Sequence, residues 1–409
     1  MKRRFAGAGA LVVGLVVGAT LTLAIQSAGL VTQESGRVPG SIRSHPPLVA
    51  ERPGTFLAWV PDGLPAGFAA LAASLPGMGP VASVAEDNIW MTRSFDASGT
   101  RVDLPPAPYM IPIDAAAVMP RSFAPFLPAA DRDLVKALAD GQGILGATSA
   151  ELRGLGVGAT LRFQGGAKVT IAGVLPDELV GASELMVSRP TGSKLGVRHQ
   201  RYLLLQPGAD PKLPTSSRLS KQLRPLLPTS IPPTYRKVQV RAPGETPYFR
   251  AGDAVLPPVL LKSLFGEFAA RPAPGNPGYL DVDPAWVRAH IVTTTVPVLG
   301  RVTCNRALIP QLRGAMREVQ DDGLASAIHV YDGCFVPRFI NRIPTAAISH
   351  HTWGVAFDCN APTNPFGAPP HQNPRLVAVM QRWGFIWGGS FIVPDGNHFE
   401  YRRAPEPGA

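Results

Sequence analysis

The run Ser349-His350-His351-Thr352-Trp353-Gly354-Val355-Ala356-Phe357-Asp358, followed further along by Asp395-Gly396-Asn397-His398-Phe399-Glu400, constrains this chain more than any other segment. Two histidines and an aspartate, with a second aspartate beside them, are the side chains needed to hold one zinc ion and to deprotonate a water next to it. On a single α-helix, His351 and Asp358 would stand about 10 Å apart along the axis, whereas ligands of one zinc must each reach it at about 2 Å. The segment therefore has to fold back. Gly354 permits a tight turn or a positive φ, and Val355-Ala356-Phe357-Asp358 reads as a short strand with Ala356 and Asp358 on one face and Val355 and Phe357 on the other. Asp395 and His398 follow Pro394 in a turn that leads into His398-Phe399-Glu400-Tyr401. Asp395 can then stand near a metal on His398 without binding it, which is the place of a general base. Glu400 is the next candidate for that task.

The pattern Ser-x-His-x-x-Gly-x-Ala-x-Asp followed by Asp/Glu-x-x-His is met by Ser349, His351, Gly354, Ala356, Asp358, Asp395 and His398. It resembles that of the zinc D-alanyl-D-alanine carboxypeptidases and dipeptidases of vancomycin resistance and the L-alanyl-D-glutamate endopeptidases of phage endolysins. The resemblance covers roughly Leu261 to Arg403. It implies zinc bound by His351, Asp358 and His398, Asp395 as catalytic base, and an upstream arginine that binds substrate or steadies an oxyanion. Arg338 fits that arginine better than Arg342, because a fixed guanidinium beside a scissile carbonyl stabilises developing negative charge. Ser349 would either hydrogen-bond the substrate or orient the turn. The implied substrates are peptidoglycan stem peptides, cut as a D,D-carboxypeptidase or as an L,D-endopeptidase. A rival reading is a non-hydrolytic wall-binding or transporter-associated adaptor, and the intact Asp395 argues against it. His350 should point away from a metal on His351, either to the surface or to support a ligand from behind. His290, His329 and His371 carry no spacing signal.

Met1-Lys2-Arg3-Arg4 precedes an uncharged apolar run from Phe5 to Ile25, long enough to cross a bilayer with the basic end on the cytoplasmic side. The expectation is a single-pass anchor within residues 1–29 that places the rest outside the cytoplasm, with a cleaved signal peptide as the alternative. Cys304 and Cys334 suit a bridge in an oxidising compartment, leaving Cys359 as a buried thiol that faces away from the metal. The 44 prolines are about twice the usual share, and charged residues are only 17%. Such a chain is folded but rich in loops. A net charge of +10 reads first as a solvated basic surface and otherwise as suited to anionic cell-wall polymers or membrane lipids, while the absence of any basic-aromatic run or nucleic-acid motif leaves no nucleic-acid partner to expect.

The expected fold class is α+β: a small antiparallel-sheet zinc peptidase domain over 243–409, preceded by a linker over 30–54 and a mixed α/β extracytoplasmic domain over 55–242. Strands are expected at Phe56–Val60, Val81–Val84, Thr160–Phe163, Lys168–Ala172 and Tyr202–Leu205, with a hairpin turn at Gln164–Ala167 and helices at Asp131–Ala139 and Arg218–Arg224. Within this region Leu145–Leu152, Leu155–Leu161 and Val169–Leu175 are similar to segments of the extracytoplasmic domain of macrolide-exporter ABC permeases. That resemblance implies an envelope protein partner. Pro243 to Gly278 reads as an approach segment. Leu308, Leu312, Met316 and Val319 predict one helix, and Leu376, Val377, Met380 and Trp383 another, each stopped by a glycine.

Overall fold

The computed structural model describes residues 54–208, 215–245, 248, 250, 252 and 255–405. The expected anchor over 1–29 and nearly all of the 30–54 linker lie outside them. No helix among the described residues is long and apolar enough to cross a membrane.

Nine strands form the first sheet: β1 (Phe56–Trp59), β2 (Met78–Phe95), β3 (Ile111–Val118), β4 (Gln142–Gly146), β5 (Thr160–Phe163), β6 (Lys168–Leu175), β7 (Leu185–Ser188), β8 (Gln200–Pro207) and β9 (Gln239–Arg241). Their order is β3-β7-β4-β6-β5-β2-β8-β1-β9, and β2 pairs with β3 as well. That extra pairing closes six strands into a ring, which removes their free edges. The length of β2 makes this possible: Val84–Met91 pair with β3, Met91–Phe95 with β5, and Met78–Ala85 with β8. Every residue of β3 is buried. Ile113, Ala115 and Ala117 enter one core, while Ala116 and Val118 enter another with Trp59, Phe123 and Tyr202. Both faces of the strand are covered, as a run of small and β-branched residues allows. The full extent of β2, and β3 itself, exceed what the alternation in the sequence indicates.

From Pro258 onward the approach segment is structured. Helix Pro258–Phe265 leads to the hairpin β10 (Ala270–Ala273) and β11 (Asn276–Val282), then to helix Pro284–His290 and the hairpin β12 (Ile291–Val296) and β13 (Gly300–Asn305). The last sheet has the order β14 (Tyr331–Gly333), β15 (Ala356–Cys359), β17 (His398–Tyr401), β16 (Phe385–Trp387), antiparallel throughout. Helices Ile309–Asp321 and Pro374–Arg382 present Leu312, Met316, Val319, Leu376 and Met380 to a core that also takes Phe357 and Phe399.

Helix Pro258–Phe265 joins the two sheets. Leu261 and Phe265 enter the C-terminal core, where Phe265 meets the Tyr401 ring edge-on at 5.0 Å. Lys262, also fully buried, turns back to the first sheet and donates to both Glu184 oxygens at 2.8 and 3.0 Å. Arg153 donates to Glu184 at 2.9 Å, and Glu267 completes the group by pairing with Arg153 and, at 2.9 Å, with Lys262. Lys262 and Arg153 hold the Glu267 carboxyl below its ordinary value although burial opposes them. Nearby, Met110 and Ala270 exchange backbone hydrogen bonds of 2.9 and 2.8 Å. The segment before the motif also rests on the first sheet, through Asn88 to Ala346 O at 3.5 Å and Arg201 to Thr345 O at 3.4 Å.

Removing one member of a buried ionic group leaves the others uncompensated. Glu184→Gln is expected to lower stability by about 3–5 kcal/mol, measured by denaturant unfolding. Asp133→Asn, which breaks the exposed Lys136–Asp133 pair, should change it by less than about 1 kcal/mol. Equal effects of the two would refute this assignment.

A second buried carboxyl, that of Glu86, lies 3.7 Å from Arg250 and titrates. Burial raises the Glu86 carboxyl from 4.5 to about 7, with Arg250 offsetting part of the rise and Asp114 adding to it. A folded-state pKa above the unfolded one means that the folded chain binds this proton more tightly. The contribution is therefore fully present below about pH 4.5 and is lost as pH rises toward about 7. Glu86→Gln is expected to flatten that decline in unfolding free energies measured across the same window. An unchanged slope in the variant would assign the decline to other groups.

Candidate metal centre

The register of the last sheet assembles the site. Asp358 lies directly opposite His398, Phe357 opposite Phe399, and Ala356 opposite Glu400. Because side chains alternate along a strand, one face carries Asp358, His398 and Glu400, while the other buries Phe357 and Phe399 with their rings stacked at 5.5 Å. His351 arrives from outside the sheet, in the 3₁₀ turn His350–Thr352. That turn closes at Gly354, whose φ is +67° and where a Cβ would lie 2.7 Å from Asn305 N. Only glycine meets both demands.

The structure brings together His351, Asp358 and His398, and these three could hold a metal ion. Asp358 Oδ1 lies 3.2 Å from His351 Nε2 and 2.9 Å from His398 Nδ1, and the two ring nitrogens are 3.3 Å apart. A tetrahedral ion with ligands at about 2.0–2.1 Å has edges of about 3.3–3.4 Å, so the donors stand near three corners of such a tetrahedron. The far nitrogen of each ring is also held. His351 Nδ1 donates to Cys334 O at 2.8 Å, and His398 Nε2 lies 3.0 Å from Glu400 Oε2. Each ring thus presents its other nitrogen inward, the arrangement that metal-binding histidines require.

Electrostatics agree. Burial would lower the His398 imidazole, but hydrogen bonds with Asp358 and Glu400 overcome it and push it up to about 10. Asp358 is held well below the carboxylate range; burial opposes the shift, and the His351 and His398 hydrogen bonds drive it. The pocket is therefore a field that favours positive charge. Burial lowers His351.

Asp395 is outside the three-residue group and next to it. Its backbone is fixed by donation to Gly388 O at 2.9 Å and by acceptance from His398 N at 3.1 Å. Its Oδ1 accepts from Asn397 Nδ2 at 2.9 Å, and burial raises its carboxyl. Arg338 brings its guanidinium to 3.8 Å from Asp358 Oδ2, and its backbone is locked by Thr352 Oγ1. Arg342 turns elsewhere, with Nε donating to Tyr279 OH at 2.5 Å. Ser349 is buried and its hydroxyl caps no backbone amide of the turn.

Two further residues stand behind the group, and of the two places expected for His350 the structure gives the supporting one. Glu400 is buried and its carboxylate is taken up by His398 Nε2, so it is poorly placed to act on a substrate. His350 is buried and not on the surface, and its Nδ1 lies 2.9 Å from the same Glu400 oxygen. The cross-strand pairing of Ala356 with Glu400 is the signal: a small residue there leaves room for the glutamate to reach both rings. Cys304 and Cys334 are bridged, and Cys359 is a buried free thiol, with burial pushing it up to about 12.

Residues 343–401 match the family model described as D-alanyl-D-alanine carboxypeptidase. The C-terminal segment is thereby similar to a peptidase family, and the match spans all three metal-capable residues and Asp395. No curated protein matches the chain. Among solved structures, the periplasmic region of MacB from Actinobacillus actinomycetemcomitans matches at 12% identity, covering 47% of this chain and 89% of that one, with a TM-score of 0.32. The extracellular domain of the noncanonic ABC-type transporter YknZ from Gram-positive bacteria matches at 16% identity over 46% and 99%, TM-score 0.29. A permease-protein domain from Porphyromonas gingivalis matches at 14% over 53% and 98%, TM-score 0.30. These are the kind of domain that residues 145–175 resemble in sequence, and the low TM-scores carry the comparison no further.

Glu400→Gln keeps the shape of the support behind His398 and removes its charge. It is expected to weaken divalent-metal binding by about 10–100-fold, measured by chelator competition. Unchanged affinity would remove Glu400 from the site.

Proposed function

We propose that the chain is a zinc-dependent peptidase that hydrolyses peptidoglycan stem peptides outside the cytoplasm, held at the membrane by residues 1–29. The observation that carries the reading is a buried, proton-seeking carboxylate, Asp395, beside three donors spaced for one tetrahedral ion. The family description over 343–401 supports a D,D-carboxypeptidase. The basic-flanked apolar run and the disulfide support an extracytoplasmic site, and residues 55–242 would meet an envelope partner.

His351, Asp358 and His398 would hold the zinc, and an N, N, O donor set suits it. When bound, zinc supplies a Lewis acid that polarises a carbonyl and acidifies water near neutral pH. Asp395 takes the proton of the attacking water and returns it to the leaving amine. Its raised pKa brings it closer to the working pH, as an efficient base requires. With Oδ1 held by Asn397, Oδ2 is the oxygen free to carry that proton. Arg338, fixed in a half-buried position, stabilises negative charge growing on the carbonyl oxygen. Ser349 contacts the substrate, since its hydroxyl is not spent on the turn.

Purified protein is expected to carry one zinc per chain and to release D-alanine from muropeptides ending in D-Ala-D-Ala, read by mass spectrometry. Asp395→Asn should retain the zinc and lose about a hundredfold or more in rate. Cleavage inside the stem would select the L,D-endopeptidase form. Full activity in the zinc-loaded variant would overturn the role of Asp395, and a zinc-loaded wild type that binds muropeptides without cutting them would favour the adaptor reading.

A further inference from the structure

The Cys304–Cys334 bridge lies against the His351–Gly354 turn, with Cys334 Sγ 3.3 Å from Gly354 O, and both cysteines are buried. On one side of the His351–Gly354 turn, Cys334 O accepts from His351 Nδ1 at 2.8 Å and Val336 N donates to His351 O at 3.1 Å. On the other, Asn305 N donates to Gly354 O at 2.8 Å and Asn305 Nδ2 to Trp353 O at 3.0 Å. Asn305 is the neighbour of Cys304 at the end of β13. The turn is therefore gripped between two backbone segments, 334–336 and 304–305. Besides the disulfide, a hydrogen bond from Phe335 N to Thr303 O at 2.9 Å spans them.

We infer that the disulfide is a positioning device for the His351 imidazole. By fixing the gap between the two grips it keeps the Cys334 carbonyl on Nδ1, which sets the Nδ1–H tautomer and aims the Nε2 lone pair at Asp358 and His398. Loss of the partner that orients a metal-binding histidine costs about 10–100-fold in metal affinity. The bridge works through His351 and touches no substrate. Its use in metal binding rests on the zinc reading above, whereas its control of the ring does not.

The test compares the full wild-type chain with Cys304→Ala/Cys334→Ala. Zinc affinity is measured by chelator competition, the ring by ¹⁵N-histidine NMR without metal, and the fold by circular dichroism. The expected result is zinc binding weakened by about 10–100-fold, with the His351 Nδ1–H signal shifting toward a mixture of tautomers while circular dichroism is unchanged. Zinc affinity within about twofold of wild type together with an unchanged ring signal would overturn the proposal. A variant that loses its circular-dichroism signal along with the metal would overturn it as well, because the bridge would then hold the fold and not the ring. A wild type that binds no zinc would strike the reading of the preceding subsection, and the ring measurement, which needs no metal, would still decide this one.

Discussion

Two cations and two carboxylates, three of the four fully buried between the sheets, hold the molecule in one arrangement. Charges taken out of water are tolerated only when they are paired and hydrogen-bonded, so Lys262, Arg153, Glu184 and Glu267 accept few alternative dockings of helix Pro258–Phe265. That helix gives its next residue back, Leu261, to the C-terminal core. The Met110–Ala270 pairing then fixes β10, β11 follows from its hairpin, and Tyr279 on β11 bridges to Arg338. The position of the guanidinium beside Asp358 is thereby traced to an ionic group on the far side of the helix.

The metal-capable site follows a different charge rule. With both imidazoles deprotonated for binding, ionised Asp358, Asp395 and Glu400 stand against the guanidinium of Arg338 and leave a formal excess of two negative charges, part of which a proton on His398 offsets when no cation is there. A divalent cation cancels that excess. The same residues explain why the rings are aimed: the Cys334 carbonyl holds Nδ1 of His351 and the Glu400 carboxylate holds Nε2 of His398, so the other nitrogen of each ring faces the group.

What the sequence reveals depends on how far apart the cooperating residues lie. His351, Gly354 and Asp358 share one turn and one strand, and spacing alone is enough to exclude a helix and require a fold-back. The helical stripes from Leu308 and from Leu376 are legible for the same reason. Glu184 and Lys262 are separated by 78 positions, and no local pattern announces that two such residues meet in a sealed interface. β3 escapes because a strand buried on both faces has no alternation to read. The hairpin of β10 and β11 escapes because its prolines signal loop, while the sheet tolerates them at irregular and edge positions. Glu400 and His350 are understood only once Ala356 is seen opposite Glu400 in the register.

That register has a further result for the life of the molecule. Phe357 and Asp358 are neighbours on β15, as His398 and Phe399 are on β17, so the pairing that stacks the aromatic rings in the core is the pairing that sets aspartate against histidine. A slip of one residue would turn every side chain of the strand to the opposite face, exposing the phenylalanines and scattering the donors together. Maturation of the chain and assembly of its His–Asp–His group are consequently one event. A half-folded copy therefore carries no assembled group of donors.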